Sequence, residues 1–522
     1  MRRRAFLAAG AFACAAGNVR ARAAEPPATS RERLTTRAEA SAYAERSSLA
    51  DVERFLAELD ARGAPIARGS LGASGEGRDI PFVVASRPRV RTPAEALALR
   101  RPIVLVQAAR DASAPDGTEA LLAMLRDLCL ATTPTLLEEL VLVAVPLLNV
   151  DGSARSGPAA TNAPATNGPA LAGTRATASG IDLDTDFVRA AAPETRALLR
   201  FVEAWQPDAF LDLTTSAGGF HAFAITYAPA LHPAAARAGA FVRETLAPAA
   251  CDEVRARFGI AAFPDGRFGR TRALPEPPPP SDAAEYGWYP PDYRACACVN
   301  YMGVRGRLAL LVAAYAHDPF ERRIFTTRAY VEAVLGFCSD RAGEVRATAR
   351  AARRDSPGTI PIAAELPDEP PRIEAVAFEN LTLERGAGHE AGVPEGFRRT
   401  GTYGSATLPV FDRYRPSEYA LRPNLYLVPA SAANDVGALL NVHAIPYHVV
   451  REVEYDLVSP ALTPAEAARA STGWQRERPY AALPGDLRVP AGGGAGTLAA
   501  LLFEPRSADA AGVPVYRVEA FA

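Results

Sequence analysis

The sequence predicts an α/β fold: a mixed β-sheet flanked by helices on both faces, plus a smaller β-rich C-terminal domain. Three observations favour it. Continuous apolar runs such as 103–108 and 140–148 alternate with helical patterns such as 118–130, as in sheets buried on both faces. Strand-like runs predominate after the proline-rich stretch 356–371. A chain of 522 residues is also too long for one compact core, so at least two domains are expected.

The first domain is predicted over residues 32–353, where helices and strands alternate. The pattern predicts, in order, a helix over 32–62, a hairpin of 66–71 with 80–85, a strand over 103–108, a helix over 118–130, a strand over 140–148, a surface excursion over 153–180, a helix over 193–205, a strand over 210–214, a helix over 234–246, a proline-dense loop over 263–293, a strand over 308–315 and a helix over 319–353. Glycine stops and polar turns separate these runs.

A proline-rich linker is predicted over 354–371, because proline disfavours both helix and central strand. The second domain then covers 372–522 and is mainly β. Its expected strands are 373–383, 406–414, 424–428, 448–456 and 513–519, with one helix over 432–440.

The N-terminus reads as an export signal. Three arginines follow Met1, a short apolar stretch rich in Ala and Gly runs to about residue 17, and Ala21-Arg22-Ala23 offers a small-x-small cleavage site. Residues 1–23 are therefore predicted to be a signal peptide resembling the twin-arginine type. Lipid attachment at Cys14 is a minor alternative. We expect a periplasmic or secreted protein that does not span a membrane, since no later run approaches the ~18 apolar residues that a span requires.

Composition excludes some partners. Apolar residues make up 48% and charged residues 22% of the chain, and the formal net charge is −2. All 57 basic residues are arginine, which we attribute to base-composition bias. Such balanced charge gives no support for nucleic-acid binding.

Several stretches, in the right order, resemble the zinc carboxypeptidase family (the carboxypeptidase A-like fold). They are Gly72-x-Ser74-x-Glu76-Gly77-Arg78, Asn149-Val150-Asp151-Gly152, Ile181-Asp-Leu-Asp-Thr-Asp-Phe187 with Pro193-Glu194, Asp212-Leu213-Thr214, the strand ending near Ala313, and Pro319-Phe320-x-x-Arg323. Leu440-x-x-His443-Ala-Ile445 and Leu502-Phe-Glu504-Pro505 resemble the β-rich companion domain of some bacterial members. The resemblance implies a carboxypeptidase-like first domain.

Active members of this family use zinc held by His, Glu and His, a glutamate as general base, and an Asn-Arg pair that grips the substrate carboxylate. Carried over by the resemblance, the three ligand positions are Asp111, Ala114 and Thr214. The general-base position is Ala313, and the carboxylate-binding pair is Asp184-Thr185. The carbonyl-polarising arginine corresponds to Arg175. We therefore expect no metal and no other cofactor, and no catalytic residue unless Arg175 retains its role.

Other histidines and cysteines leave alternatives open. His221 follows the Asp212 strand, so a rearranged hydrolase site of Asp111, His221 and Arg175 is one hypothesis. His443 with His448 is an alternative metal pair, but it has no third ligand in sequence. A thiol nucleophile at Cys296 or Cys298 has no nearby histidine to activate it. A disulfide from this pair to Cys251 stays open.

The favoured interpretation is an exported, catalytically inactive pseudopeptidase. It would bind a peptide, a cell-wall fragment or another protein in the old cleft, with Arg175, Asp184 and Thr185 as binding residues. One alternative is an active metallocarboxypeptidase or hydrolase with a rearranged site. Another is a non-catalytic interaction scaffold acting through the C-terminal domain.

Overall fold

The computed structural model describes residues 33–158, 167–217, 219–270, 285–383, 397–462, 466 and 473–518. The chain divides into two compact units, Met1–Leu34 and Thr35–Ala522, and the described helices and strands all belong to the second. The predicted signal peptide and Cys14 lie outside the described residues.

The strands fall into one large sheet and several smaller ones. In chain order they are β1 (Ile66–Ala73), β2 (Asp79–Ala85), β3 (Ile103–Ala108), β4 (Val141–Val145), β5 (Gly157–Pro158), β6 (Leu171–Ala172), β7 (Ala209–Thr215), β8 (Ile225–Pro229), β9 (Ala262–Pro264), β10 (Arg267–Gly269), β11 (Gly287–Tyr289), β12 (Leu308–Ala314), β13 (Thr359–Glu365), β14 (Arg372–Leu383), β15 (Phe397–Val410), β16 (Arg415–Leu421), β17 (Leu425–Val428), β18 (His448–Val449), β19 (Glu454–Pro460), β20 (Arg478–Ala482), β21 (Leu487–Pro490) and β22 (Tyr516–Val518).

The helices are mostly those that the apolar periodicity predicts. They are α1 (Arg37–Ala40), α2 (Leu49–Ala61), α3 (Pro93–Ala98), α4 (Asp116–Leu130), α5 (Val150–Ala154), α6 (Pro193–Trp205), α7 (Ala236–Phe241), α8 (Ala247–Phe258), α9 (Cys298–Val304), α10 (Phe320–Asp340), α11 (Ala342–Arg354), α12 (Ala433–Val442) and α13 (Gly493–Phe503). A π-helical turn, Val242–Leu246, joins α7 to α8.

The large sheet has eight strands in the order β1-β2-β4-β3-β7-β12-β8-β9. Its centre, β4-β3-β7-β12, is parallel, whereas β1, β2 and β8 run antiparallel to their neighbours towards the centre. The central strands β3 and β4 are buried along their whole length, which explains why they read as continuous apolar runs.

Helices cover both faces of this sheet, as predicted. On one face α4 lies so close that a Cβ added at Gly117 would be 2.7 Å from the Cβ of Leu213, so only glycine fits there. On the other face α9 places the Cys298 thiol 3.4 Å from the Gln107 amide. The predicted mixed α/β class with further β-rich sheets in the C-terminal region is confirmed.

The C-terminal region shares its apolar core with the large sheet. One cluster of buried residues includes Ile103 and Phe187 together with Val436 and Leu502. The predicted linker also contains a strand, β13, which pairs with β16 and buries Ile360. A division into domains at 354–371 stays a prediction.

Some element boundaries differ from the sequence predictions for identifiable reasons. The helix predicted over 32–62 is two helices, because Ser48 caps α2 in a capping box and Tyr43 has a positive φ of 63°. The helix predicted over 319–353 breaks at Arg341, between α10 and α11. Helix α13 lies at 493–503, within a glycine-rich run that the sequence reading left unassigned. Part of the proline-dense loop, 271–284, lies outside the described residues.

Across the part of the chain that the structure describes, no helix has both the length and the apolar character needed to cross a membrane.

His443 ties the C-terminal region to the loop after the Asp182–Asp186 segment. Its Nε2 lies 3.0 Å from the Val188 carbonyl and its Nδ1 lies 2.7 Å from the Tyr301 hydroxyl. Because a carbonyl only accepts, Nε2 carries the proton and Nδ1 accepts from Tyr301. Burial lowers the pKa of His443 to about 4, so the ring stays neutral in the folded protein near neutral pH.

We predict that the stabilisation by His443 is lost as the pH falls from about 6.5 to about 4. In this window the unfolded chain binds a proton at this histidine whereas the folded chain does not. Urea unfolding at pH 7 and pH 4.5 should show the free-energy difference between wild type and His443→Gln shrinking by about 1–3 kcal/mol. His448→Gln, at an exposed position, is the matched control. A difference for His443→Gln that is independent of pH would contradict this assignment.

Candidate functional site

The four positions assigned to zinc ligands and general base lie at the carboxyl edge of the parallel strands. Asp111 and Ala114 follow β3, Thr214 lies near the end of β7, and Ala313 near the end of β12. Thr214 and Ala313 are direct register partners. We call these four positions the degenerate site. The carboxyl ends of parallel strands are where ligands usually bind in α/β folds.

Two of the four side chains have no donor atom. Ala114 and Ala313 are 1% and 2% exposed, so buried methyl groups occupy the positions that the resemblance assigns to the second ligand and the general base. Thr214 is half-buried and offers a neutral hydroxyl, which is a poor zinc ligand.

The carboxylate of Asp111 is engaged by the protein itself. It accepts hydrogen bonds from the Ser113 amide at 2.9 Å and the Ser113 hydroxyl at 2.5 Å. Its second oxygen accepts from Arg175 Nη1 at 3.3 Å. Asp111 is 8% exposed, so these contacts replace the water that it gives up on folding.

Arg175 gathers three carboxylates around one guanidinium. Its Nε donates to Asp182 at 2.7 Å, and its Nη2 to Asp184 at 3.3 Å, in addition to the contact with Asp111. Burial opposes its charge, but the hydrogen bond and attraction of Asp182, helped by the other carboxylates, raise the pKa of Arg175. The side chain is 51% exposed, so part of this group faces solvent.

The backbone around Arg175 is fixed from two sides. The Asn149 amide donates to the Arg175 carbonyl at 3.0 Å. Two residues earlier, the Gly173 amide donates to the Ala112 carbonyl at 3.1 Å. A Cβ at Gly173 would lie 2.6 Å from that carbonyl oxygen, so glycine is required where this segment passes the Asp111 loop.

A second arginine, Arg110, lies deeper beneath the site. Its Nε donates to Asp212 at 2.8 Å, and its Nη1 lies 3.1 Å from Asp184. Burial disfavours the charged guanidinium, but the attraction of Asp184 and Asp212 outweighs it and raises the pKa of Arg110 well above its usual value. Asp212 also accepts from the Gln107 amide at 2.9 Å.

These contacts form one connected series, Asp111–Arg175–Asp184–Arg110–Asp212, which we call the ion-pair chain. Asp184 is its centre because it contacts both arginines. Sequence reasoning identified Arg175 and Asp184 but missed Arg110 and Asp182. One signal was available for Arg110: it is a charged residue two positions after the end of a mainly apolar strand.

The residues present do not fit a zinc ion. Of the assigned ligands only Asp111 carries a carboxylate, and it is neutralised by an arginine. Arg175 donates to the second oxygen of Asp111, so a metal ion bound there would have to displace this guanidinium. Among the described residues, no three His, Cys, Asp or Glu side chains are grouped so that they could hold a metal.

Thr185, the other half of the pair assigned to carboxylate binding, is exposed and lines a separate cavity. Asp184 presents negative charge where the family's pair would attract a carboxylate. The two arginines that Asp184 contacts offset this charge.

The scaffold motifs have structural roles next to the site. Asp151 accepts from the Ser74 hydroxyl and Arg78 Nη1, both at 2.7 Å, and from the Glu76 amide at 2.9 Å. Glu194 accepts from the Gly75 amide at 3.1 Å. The tip of the β1–β2 hairpin is thus anchored on the residues that follow β4 and begin α6.

His221 lies in an aromatic environment rather than in the ion-pair chain. It is 2% exposed, its Nδ1 accepts from the Phe223 amide at 3.3 Å, and its ring lies 4.7 Å from that of Tyr315. Burial lowers the pKa of His221 to about 3. Within the described part of the chain, no hydrogen bond or ion pair joins it to Asp111 or Arg175.

The remaining candidates are held in structural contacts. His443 is buried between Tyr301 and Val188, whereas His448 is exposed. The five cysteines among the described residues, which include Cys251, Cys296 and Cys298, are free thiols. Burial raises the pKa of Cys298 well above its usual value and that of Cys296 to about 11, so neither is an activated nucleophile at neutral pH.

Comparison with known proteins finds one family model that matches part of the chain. Residues 52–219 match the family model described as zinc carboxypeptidase. This segment includes Asp111, Ala114, Asp184 and Thr214. Residues 52–219 are therefore similar to a zinc carboxypeptidase domain, and the described residues hold no group of three His, Cys, Asp or Glu side chains that could bind a metal.

Solved structures similar to this chain include several metallocarboxypeptidases. That from Burkholderia cenocepacia is 14% identical, with 56% of this chain and 69% of that chain covered and a TM-score of 0.40. That from Pseudomonas aeruginosa is 19% identical, with coverages of 56% and 70% and a TM-score of 0.38. Carboxypeptidase A from Helicoverpa armigera is 15% identical, with coverages of 60% and 75% and a TM-score of 0.37. No curated protein matches the chain.

We predict that Asp212→Asn destabilises the protein by about 3 kcal/mol, because it removes a charge partner from the buried Arg110. Asp182→Asn is the matched control. Its partner Arg175 is half exposed, so the loss should stay below about 1 kcal/mol. Denaturant unfolding of the two variants measures both values. Equal losses would show that the buried end of the ion-pair chain has no special role in stability.

Proposed function

We propose that this protein is an exported, catalytically inactive carboxypeptidase-like protein that binds a ligand at the degenerate site. The ligand class is a peptide, a cell-wall fragment or another protein. One observation carries the proposal: the carboxyl edge of the sheet keeps its architecture, while the ligand and base positions carry Asp111, Ala114, Thr214 and Ala313. Export rests on the sequence of residues 1–23.

The absence of peptidase chemistry follows from the side chains present. Without a fitting metal site, no Lewis acid polarises the scissile carbonyl, and Ala313 cannot take a proton from water. These groups supply many kcal/mol of transition-state stabilisation in metallopeptidases. Arg175 alone can donate hydrogen bonds but cannot activate a nucleophile.

The rim of the site supports a binding role. Arg175, Asp182 and Asp184 are 51%, 35% and 33% exposed, so a ligand can reach charged groups already held in place by one another. Such prior fixation lowers the entropy cost of binding. Both signs of charge are present, which suits the amide and terminal groups of peptide-like ligands.

Two alternative functions have less support from the structure. A hydrolase using Asp111, His221 and Arg175 requires His221 to leave its buried aromatic environment. One observation favours a scaffold that acts through the C-terminal region: the side chain of Tyr455 on β19 is 80% exposed.

We predict that filling the site with Thr214→Trp weakens binding of peptide ligands at least tenfold. The indole would occupy the space above the half-buried threonine at the carboxyl edge of the sheet, where the ligand is proposed to bind. Fluorescence anisotropy with labelled peptides, with free and with blocked C-termini, measures the affinity. Thr133→Trp, in an exposed loop, is the matched control and should bind as the wild type does.

The same peptides also test whether the protein has peptidase activity. Chromatography after prolonged incubation with added zinc should recover them intact from the wild type. Turnover that Asp111→Ala abolishes would establish the hydrolase alternative. Binding that Thr214→Trp leaves unchanged and Tyr455→Ala removes would establish the scaffold alternative.

A further inference from the structure

The structure contains a cavity that does not include the degenerate site. Its volume is about 640 Å³, and it opens between the loop 185–189, the segment 294–296, helix α12 and the segment 508–513. Asp111, Ala114, Thr214 and Ala313 do not line it. We call it the side cavity. Its volume falls in the range of about 300–1,000 Å³ that is typical of small-molecule sites.

The walls of the side cavity are fixed to one another by buried hydrogen bonds. The Phe187 amide donates to the Cys296 carbonyl at 3.1 Å, and His443 Nε2 donates to the Val188 carbonyl at 3.0 Å. Asp509 accepts from the Ala295 and Cys296 amides, both at 2.9 Å. A cavity whose walls are already ordered needs little rearrangement to take a ligand.

Two charged groups on different walls are uncommitted. Arg189, on the loop, is exposed and makes no side-chain hydrogen bond or ion pair with any described residue. Asp435, in the first turn of α12, is likewise exposed and unpaired among the described residues. Arg294 differs, because its Nε and Nη2 already contact Asp292 at 2.7 and 2.6 Å.

The lining also includes the apolar side chains of Val188, Val436, Leu439 and Val513. The other charged lining residues, Arg294 and Asp509, already have partners. A ligand that pairs with both uncommitted charges and covers the apolar lining therefore needs one carboxylate, one ammonium group and apolar side chains between them. Arg189 would hold the carboxylate through charge-assisted hydrogen bonds, and Asp435 would hold the ammonium. A phosphate or a polyanion fits less well, because Asp435 would repel it.

We propose that the side cavity binds a small apolar zwitterion of dipeptide size. The proposal goes beyond the function assigned to the degenerate site and does not depend on it, since Arg175 and Thr214 take no part.

Isothermal titration of the full-length protein with Leu-Leu tests it. We expect saturable binding that weakens at least tenfold when the dipeptide is N-acetylated or C-amidated. Arg189→Ala and Asp435→Ala should each weaken Leu-Leu binding about tenfold. Arg200→Ala and Glu53→Ala, at exposed positions outside the cavity, are the matched controls.

Combining each protein variant with each modified dipeptide in a double-mutant cycle tests which ligand group each side chain contacts. C-amidation should cost little further affinity in Arg189→Ala, and N-acetylation little further affinity in Asp435→Ala. Absence of binding at millimolar Leu-Leu, or binding that both variants leave unchanged, would overturn the proposal. Loss of Leu-Leu binding in Arg175→Ala with retention in Arg189→Ala would also overturn it, because the ligand would then belong to the degenerate site.

Discussion

The buried pairing of Arg110 with Asp212 is the constraint on which the rest of the site depends. Both side chains are almost completely buried, so either charge without the other would strongly destabilise the folded protein. Their pairing leaves an arginine beneath the carboxyl edge of the central strands. Asp184 connects Arg110 to Arg175, and Arg175 in turn pairs with Asp111. Each carboxylate of the ion-pair chain therefore contacts a guanidinium of the protein itself.

The scaffold around the ion-pair chain is held by motifs whose contacts are independent of any metal. Asp151 fixes the β1–β2 hairpin, and Asn149 fixes the backbone at Arg175. Gly117 lets α4 pack against β7. These interactions stabilise, by packing and hydrogen bonding, a scaffold that carries Ala114 and Ala313 at the positions that the resemblance assigns to a metal ligand and the general base.

Much of the fold could be predicted from the sequence because the central strands are mainly apolar and the helices have a regular apolar spacing. Strand β3 and helix α6 have the predicted bounds. The break near Tyr43 and helix α13 could not be predicted in this way, since the first depends on a local positive φ and the second lies in a glycine-rich run. At the site, the resemblance pointed to Asp111, Thr214 and Arg175, of which Asp111 and Arg175 are in contact. It could not reveal that Arg110 turns inward, because the direction of one side chain after a strand depends on its tertiary partner. The side cavity joins residues more than 300 positions apart, and no local pattern encodes such a junction.

The central claim is that the ion-pair chain occupies the place of a metal site. Crystals of the protein soaked in zinc and measured at the zinc absorption edge test this claim most directly. We predict no anomalous peak at the carboxyl edge of β3 and β7, with Arg175 still bound to Asp111. A peak within bonding distance of Asp111, with Arg175 displaced from it, would contradict the account.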